Sequence, residues 1–212
     1  MRESEGKPQA NGHPDPKRQA VQFVAMAKLP TRYGEFTIHG FADRETGREH
    51  TAVVRGEVAG AQGCPVRVHS ECHTGDVMGS LRCDCRDQLE ASLRYIGSQE
   101  RGAVIYLRQE GRGIGLLNKI RAYAMQDLGF DTVEANQYLD LPEDARSYTV
   151  AAEIIELLGI KSVSLLTNNP DKIEKLRAAG VIVTERVPIR IESNVHSRQY
   201  LDTKRKRMRH ML

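Results

Sequence analysis

Cys72, Cys83 and Cys85 are the residues whose type and spacing point most directly to chemistry, with ten residues between the first pair and one between the second. In a reducing compartment such clustering favours a metal ion over disulfides. Thiolates suit Zn²⁺, and three protein ligands leave a fourth tetrahedral position for water. A metal with that open position can make hydroxide at neutral pH. The same spacing permits a structural zinc closed by a fourth protein ligand, for which His69, His73 and Cys64 are candidates. Cys64, just before Pro65, also reads as a small buried thiol.

A second constellation is Arg108-Gln109-Glu110-Gly111-Arg112-Gly113-Ile114-Gly115, which follows a strand-like run and opens a helical one. Glycines there let backbone N–H groups approach an anion, and a helix N-terminus adds partial positive charge. Arg108 and Arg112 are of the type that pairs with phosphate oxygens in bidentate fashion. The loop lacks the Gly-Lys-Ser/Thr ending of a P-loop and the spacing of a dinucleotide loop. Taken singly, a Gly-rich turn is most often only a turn, and Arg108, Arg112 and Lys172 are ordinary exposed charges.

The elements that must position these residues fall into two halves. Runs at Val21–Ala27, Glu35–Phe41, Thr51–Val58 and Pro65–Val68, parted by Gly, Pro and charged turns, predict a β-rich first half. After Cys85 the period becomes helical, with Leu89, Leu93 and Ile96 on one face, and a strand at Ala103–Leu107 follows. A helix at Leu116–Leu128 is expected to turn Leu117, Ile120, Ala124 and Leu128 inward and to stop at Gly129. Another spans Ser147–Leu158 before Gly159. Strand Ser162–Thr167 then leads to Asn168-Asn169-Pro170, a cap and first-turn proline for helix Asp171–Ala179, and strand Val181–Val187 closes the pattern. Alternating strand and helix predicts a mixed α/β fold with a layered sheet.

The chain has 212 residues, enough for one well-buried core. With 31 Lys and Arg against 28 Asp and Glu, basic residues are balanced by acids until Lys204–Arg209, and Trp is absent. This argues against a nucleic-acid-binding surface or a base-stacking platform. No apolar run approaches the roughly 20 residues of a membrane span. Residues 1–19 are polar, without the apolar core of a signal peptide, and are expected to form a disordered arm. The expected compartment is therefore the cytoplasm, and residues 201–212 are expected to form a basic helix or tail.

Several stretches together resemble the GTP cyclohydrolase II family: Val68-His69-Ser70-Glu71-Cys72, Thr74-Gly75-Asp76, Ser80-Leu81-Arg82-Cys83-Asp84-Cys85 and Gln88-Leu89-Glu90. Further matches are 108–124, Thr132-Val133-Glu134-Ala135-Asn136 and Leu165-Leu166-Thr167-Asn168-Asn169-Pro170, so the likeness runs from about Lys28 to Leu212. It implies a catalytic domain over residues 20–200 that opens the imidazole ring of GTP, with formate and pyrophosphate as products, at the first committed step of riboflavin biosynthesis. The same product could serve a specialised-metabolite pathway; the reading from another class is a zinc-stabilised nucleic-acid-binding module.

The resemblance also implies residue roles. Cys72, Cys83 and Cys85 match the ligands of one Zn²⁺ per subunit. Arg67, Val68, His69, Ser70, Glu71, Gln88, Glu110, Gly111, Arg112, Thr132, Thr167 and Lys172 match GTP contacts. Asp144 matches a proton acceptor, Arg146 a nucleophile, and Tyr123 a tyrosine near the ring-opening site. Mg²⁺ is expected to accompany the GTP phosphates, and the assembly to be a homodimer. Arg86 after the Cys-Asp-Cys motif, His73 and Cys64 depart from the family pattern without removing a matched functional residue.

Overall fold

Seven strands form one mixed sheet in the order β1-β2-β3-β5-β4-β6-β7 in a computed structural model that describes residues 19–142, 144–189 and 191. The strands are β1 (Val21–Thr31), β2 (Gly34–Asp43), β3 (Glu49–Arg55), β4 (Cys64–Ser70), β5 (Gly102–Leu107), β6 (Val163–Leu166) and β7 (Val183–Val187). The first three form an antiparallel meander that joins β5 antiparallel. From β5 through β4 and β6 to β7 the pairing is parallel. The structure is thus the mixed α/β fold expected from the alternation.

Between the strands lie α1 (Cys85–Gly97), α2 (Leu116–Asp127), α3 (Thr132–Tyr138), α4 (Thr149–Leu157) and α5 (Pro170–Ala178). Both sheet faces are covered. Val66, Val68, Ala103, Ile105, Leu107 and Leu165 pack with Ala151, Ile154 and Ile155 of α4 and Leu176 of α5. On the other face, Val104 and Leu166 meet Leu89, Leu93 and Ile96 of α1, the helical face read from the sequence. From β4 the chain moves through α1 to β5, then returns across the opposite face to β6 on the far side of β4. That reversal opens a crevice beyond the carboxyl ends of the parallel strands, where ligands bind in open α/β sheets.

Two local readings differ from the structure. The third strand ends at Arg55 rather than Val58, because Gly56 turns the chain at φ 61°. Helix α2 forms where expected, but its apolar stripe points outward: Leu117, Ile120 and Leu128 are 73%, 50% and 74% exposed, and Ala124 is exposed too. The inward face carries Lys119, Ala122, Tyr123 and Gln126, at helical spacing, because α2 covers the crevice rather than the apolar core. Helix α3 was not apparent in the hydrophobic pattern. Its signal is a capping box, with Asp131 accepting from the Glu134 backbone N–H and the Glu134 side chain from that of Asp131.

The expected N-terminal arm, apart from Gln19, and the basic stretch 201–212 lie outside the described residues. Among the described residues no helix is long and apolar enough to cross a membrane.

Candidate active site

The crevice is lined from the ends of three strands. Ser70 ends β4 and Glu71 and Cys72 follow it; past β5 comes the Gly-rich loop with Glu110, Gly111 and Arg112; past β6 come Thr167, Asn168 and Asn169. Helix α5 points its first turn at the same space. Asn169 accepts from the Asp171 N–H at 3.0 Å and Pro170 opens the helix, which brings the positive end of the helix dipole near the opening.

Cys72, Cys83 and Cys85 meet in one wall, with their sulfurs all within 4.8 Å of one another and Cys72 Sγ 3.6 Å from Cys83 Sγ. Among the described residues this group comprises those three ligand atoms alone. None of the alternative fourth ligands from the sequence, His69, His73 and Cys64, belongs to that group. Cys64 is in the apolar core, and His69 Nε2 is bonded to Asp76. The cradle is shaped to keep space at the sulfurs: a Cβ added at Gly75 would lie 2.8 Å from Cys83 Sγ and 3.1 Å from Cys72 Sγ. Cys85 opens the 13-residue helix α1, and sharing with Cys72 and Cys83, with burial, pushes its thiol well above its ordinary value. Hydrogen bonding from the Cys83 and Cys85 thiols, and then the Lys119 ammonium, holds the Cys72 thiol far below its ordinary value. In exchange, sharing with Cys72 pushes Cys83 up to about 11. Three thiols this close cannot all ionise without a cation among them. The residues present therefore fit a thiophilic divalent metal ion.

Asp76, outside the roles assigned from the sequence, organises this wall. Its side chain is buried and receives the Cys72 backbone N–H at 3.0 Å, the Tyr106 hydroxyl at 2.8 Å and His69 Nε2 at 3.0 Å. The His69 ring stacks on Tyr106 with centroids 5.4 Å apart. Burial keeps His69 below its usual pKa. The neutral ring therefore gives its Nε2 proton to Asp76, and its buried Nδ1, which has no protein partner, is an acceptor in the crevice wall.

Arg67 is buried. Its Nη2 donates to Gln88 Oε1 at 2.7 Å and its Nη1 to the Leu166 carbonyl at 3.1 Å, while Nε has no protein partner. Gln88 in turn donates to Asp84 at 2.5 Å, so one of its amide hydrogens is committed. Lys172 is 4% exposed and reaches the Val68 carbonyl at 2.5 Å. The Val68 side chain itself lies in the core and does not line the crevice, so only its backbone takes part.

The Gly-rich loop turns sharply, with Gly111 at φ 61°, Arg112 at φ 59° and Gly113 at φ 92°. A side chain at Gly113 would come within 3.1 Å of Ala145, and the Arg112 carbonyl accepts the Ala145 N–H at 3.0 Å. The loop is thereby docked on the segment that carries Asp144 and Arg146. Asp144 Oδ1 accepts Arg146 Nε at 2.8 Å and the Arg146 N–H at 3.0 Å. Burial draws the Asp144 carboxyl up, but the Arg146 hydrogen bonds and charge outweigh it and hold it below its ordinary value.

Tyr123 lies across from the cysteines, its hydroxyl 3.5 Å from Thr74 Oγ1, with the Arg82 guanidinium 4.8 Å above its ring. Burial pushes its phenol up to about 12. Of the residues singled out in the sequence, the crevice brings together Arg67, His69, Ser70, Glu71, the three cysteines, Gln88, Glu110, Gly111, Arg112, Tyr123, Thr132, Arg146, Thr167 and Lys172. Asp144 stands behind Arg146. Sequence reasoning missed Asp76, Arg82, Lys119 and Asn136, which the spacing of apolar residues does not mark.

A family model for GTP cyclohydrolase II matches residues 22–188. GTP cyclohydrolase-2 of Picrophilus torridus is 53% identical over 191 residues, covering 90% of this chain and 99% of that protein. Its counterpart from Azotobacter vinelandii is 54% identical over 195 residues, 91% of this chain and 93% of its own length. Among solved structures, RibBX, a two domain 3,4-dihydroxy-2-butanone 4-phosphate synthase from A. baumannii, shares 19% identity at a TM-score of 0.47, over 81% of this chain and 41% of that one. With a match across most of its length and relatives above half identity, the chain belongs to the GTP cyclohydrolase II family, and it is a hydrolase.

Proposed function

We propose that the chain hydrolyses GTP to 2,5-diamino-6-(5-phosphoribosylamino)pyrimidin-4-one, with release of formate and pyrophosphate. The observation that carries this reading is the placement of three sulfurs, within 4.8 Å of one another, in the wall of a crevice that also holds the Gly-rich loop and the N-terminus of α5. A metal-assisted hydrolytic centre and an anion-binding end share one opening.

Cys72, Cys83 and Cys85 would hold one Zn²⁺, which when bound supplies Lewis acidity for hydrolysis at the ring carbon. Tyr123, kept protonated by burial, donates a proton to the departing ring nitrogen. Glu71, the free amide hydrogen of Gln88 and the His69 Nδ1 acceptor are groups suited to a guanine edge. Thr132, Thr167, Lys172, Arg112 and the unpartnered Arg67 Nε line the remainder, and the α5 N-terminus favours the polyphosphate, which arrives with Mg²⁺.

For pyrophosphate release, Asp144 acts as proton acceptor and Arg146 as nucleophile. The close pairing of Arg146 Nε with Asp144 favours a second reading, in which the guanidinium stays charged and stabilises the phosphate while water attacks. Trapping of an Arg146 peptide that carries the nucleotide through its α-phosphorus in a single turnover supports the first; its absence at full turnover supports the second.

The chain works as a cytoplasmic homodimer at the start of riboflavin synthesis in this proposal. The exposed apolar residues of α2, and Phe23, Val24 and Met26 on edge strand β1, support self-association. Sedimentation equilibrium reads the mass directly. The test of the function is incubation with GTP, Zn²⁺ and Mg²⁺, with formate and pyrophosphate measured together. Equal release of both supports it. Pyrophosphate alone marks an enzyme that stops early, and neither product, with salt-sensitive binding to DNA or RNA, marks a nucleic-acid-binding module.

A further inference from the structure

Lys119 is the one described cation whose amine touches the cysteine cluster. Its Nζ stands 3.0 Å from Cys72 Sγ and 2.9 Å from Glu110 Oε1, and both charged side chains are nearly buried. Glu110 spends its remaining capacity on the backbone, taking the Gly111 N–H at 2.8 Å on Oε1 and the His73 N–H at 2.5 Å on Oε2. The carboxylate thus anchors the ammonium to both the Gly-rich loop and the residue after Cys72. Lys119 also lies one turn before Tyr123 on α2, with Nζ 5.7 Å from its ring.

Three thiolates around a divalent cation leave one net negative charge, and Glu110 adds another. A single buried ammonium hydrogen-bonded to one of those sulfurs offsets part of that charge where the chemistry occurs. An N–H···S bond also draws electron density from the sulfur lone pair, so the thiolate donates less to a bound metal. We propose that Lys119 is a positioning residue that lowers the donor strength of the Cys72 thiolate, keeping the bound metal strongly Lewis acidic, while Glu110 fixes the ammonium in place. Polarising the metal in this way makes Lys119 a determinant of the hydrolytic step and not of phosphate release.

The inference rests on the metal-centre reading above, and the two fail differently. The probe is Co²⁺ bound to the full chain, whose sulfur-to-metal charge-transfer band reports thiolate donation. Lys119→Gln is expected to take up one Co²⁺, to move that band to longer wavelength, and to slow formate release in the zinc-loaded enzyme roughly 10- to 100-fold. Lys119→Arg, which keeps a charged N–H donor, is expected to return the band toward its original position. Glu110→Gln, which keeps the lysine but weakens the anchor of its ammonium, is expected to move the band part of the way in the same direction and serves if Lys119→Gln fails to fold. A cobalt-loaded Lys119→Gln chain with an unshifted band overturns the role of Lys119, and an unshifted band in Glu110→Gln overturns the anchoring by Glu110. A wild-type chain that takes up no Co²⁺ at all overturns the metal centre itself.

Discussion

The Asp76 carboxylate receives the backbone N–H of Cys72 at 3.0 Å, and so fixes the first cysteine of the trio from behind. The same buried group satisfies Tyr106 and His69, so three donors depend on one acceptor. Leaving such donors unpaired costs about 1–3 kcal/mol for each group that water cannot reach. Asp76→Ala is therefore expected to lose about 3 kcal/mol of stability in urea unfolding. Metal content should fall with it. Unchanged stability and full metal loading would show that Asp76 is dispensable.

Gly75 tests the cradle without altering any ligand. A methyl group there would press on Cys83 Sγ at 2.8 Å and on Cys72 Sγ at 3.1 Å. Gly75→Ala is expected to stay folded, with about 2 kcal/mol lost to overpacking, and to bind well under one metal ion per chain. Elemental analysis after gel filtration reads this directly, and stoichiometric metal in the variant would contradict the geometry.

The Gly-rich loop reaches the segment of Asp144 and Arg146 through contact with Ala145. Gly113 has φ 92° and its position for a Cβ is 3.1 Å from Ala145. Gly113→Ala should push the loop away from Asp144 and Arg146 and slow pyrophosphate release about 100-fold, as misplacement by an ångström can. The charge-transfer band of a cobalt-loaded form should not move. Wild-type pyrophosphate kinetics in this variant would separate the loop from the phosphate step.

Tyr123 sets an alkaline prediction. Its phenol is pushed up to about 12 by burial, whereas an unfolded tyrosine titrates near 10. The folded state holds that proton more tightly, so its contribution is complete below about pH 10 and is lost as pH rises from there toward 12. Formate release should consequently show no alkaline limb from Tyr123 below about pH 10. In Tyr123→Phe the rate should fall at every pH, and the fall in stability between pH 10 and 12 should lessen. A tyrosine-dependent limb near pH 8 in the wild type would contradict this placement.

The chemistry of the site was more legible in the sequence than its support. The cysteine trio and the loop 108–115 announce themselves by residue type and spacing, and both line the crevice. Strand and helix order followed from periodicity, and α5 from Asn169 and Pro170. Helix α2 misled because a hydrophobic stripe indicates which residues share a face and not what that face meets. Its polar face turned out to be the one that covers the site. Lys119 and Asp76 escaped for a related reason: a buried charge is recognisable only once its partner, forty-odd residues away in Lys119's case, is placed beside it.

The most direct test is anomalous X-ray scattering at the zinc edge from crystals of the zinc-loaded chain soaked with a non-hydrolysable GTP analogue. One peak is expected about 2.3 Å from each of the Cys72, Cys83 and Cys85 sulfurs, with an open position facing the guanine and the phosphates toward α5. A peak closed by a fourth protein ligand, or an analogue bound away from the three sulfurs, would contradict it.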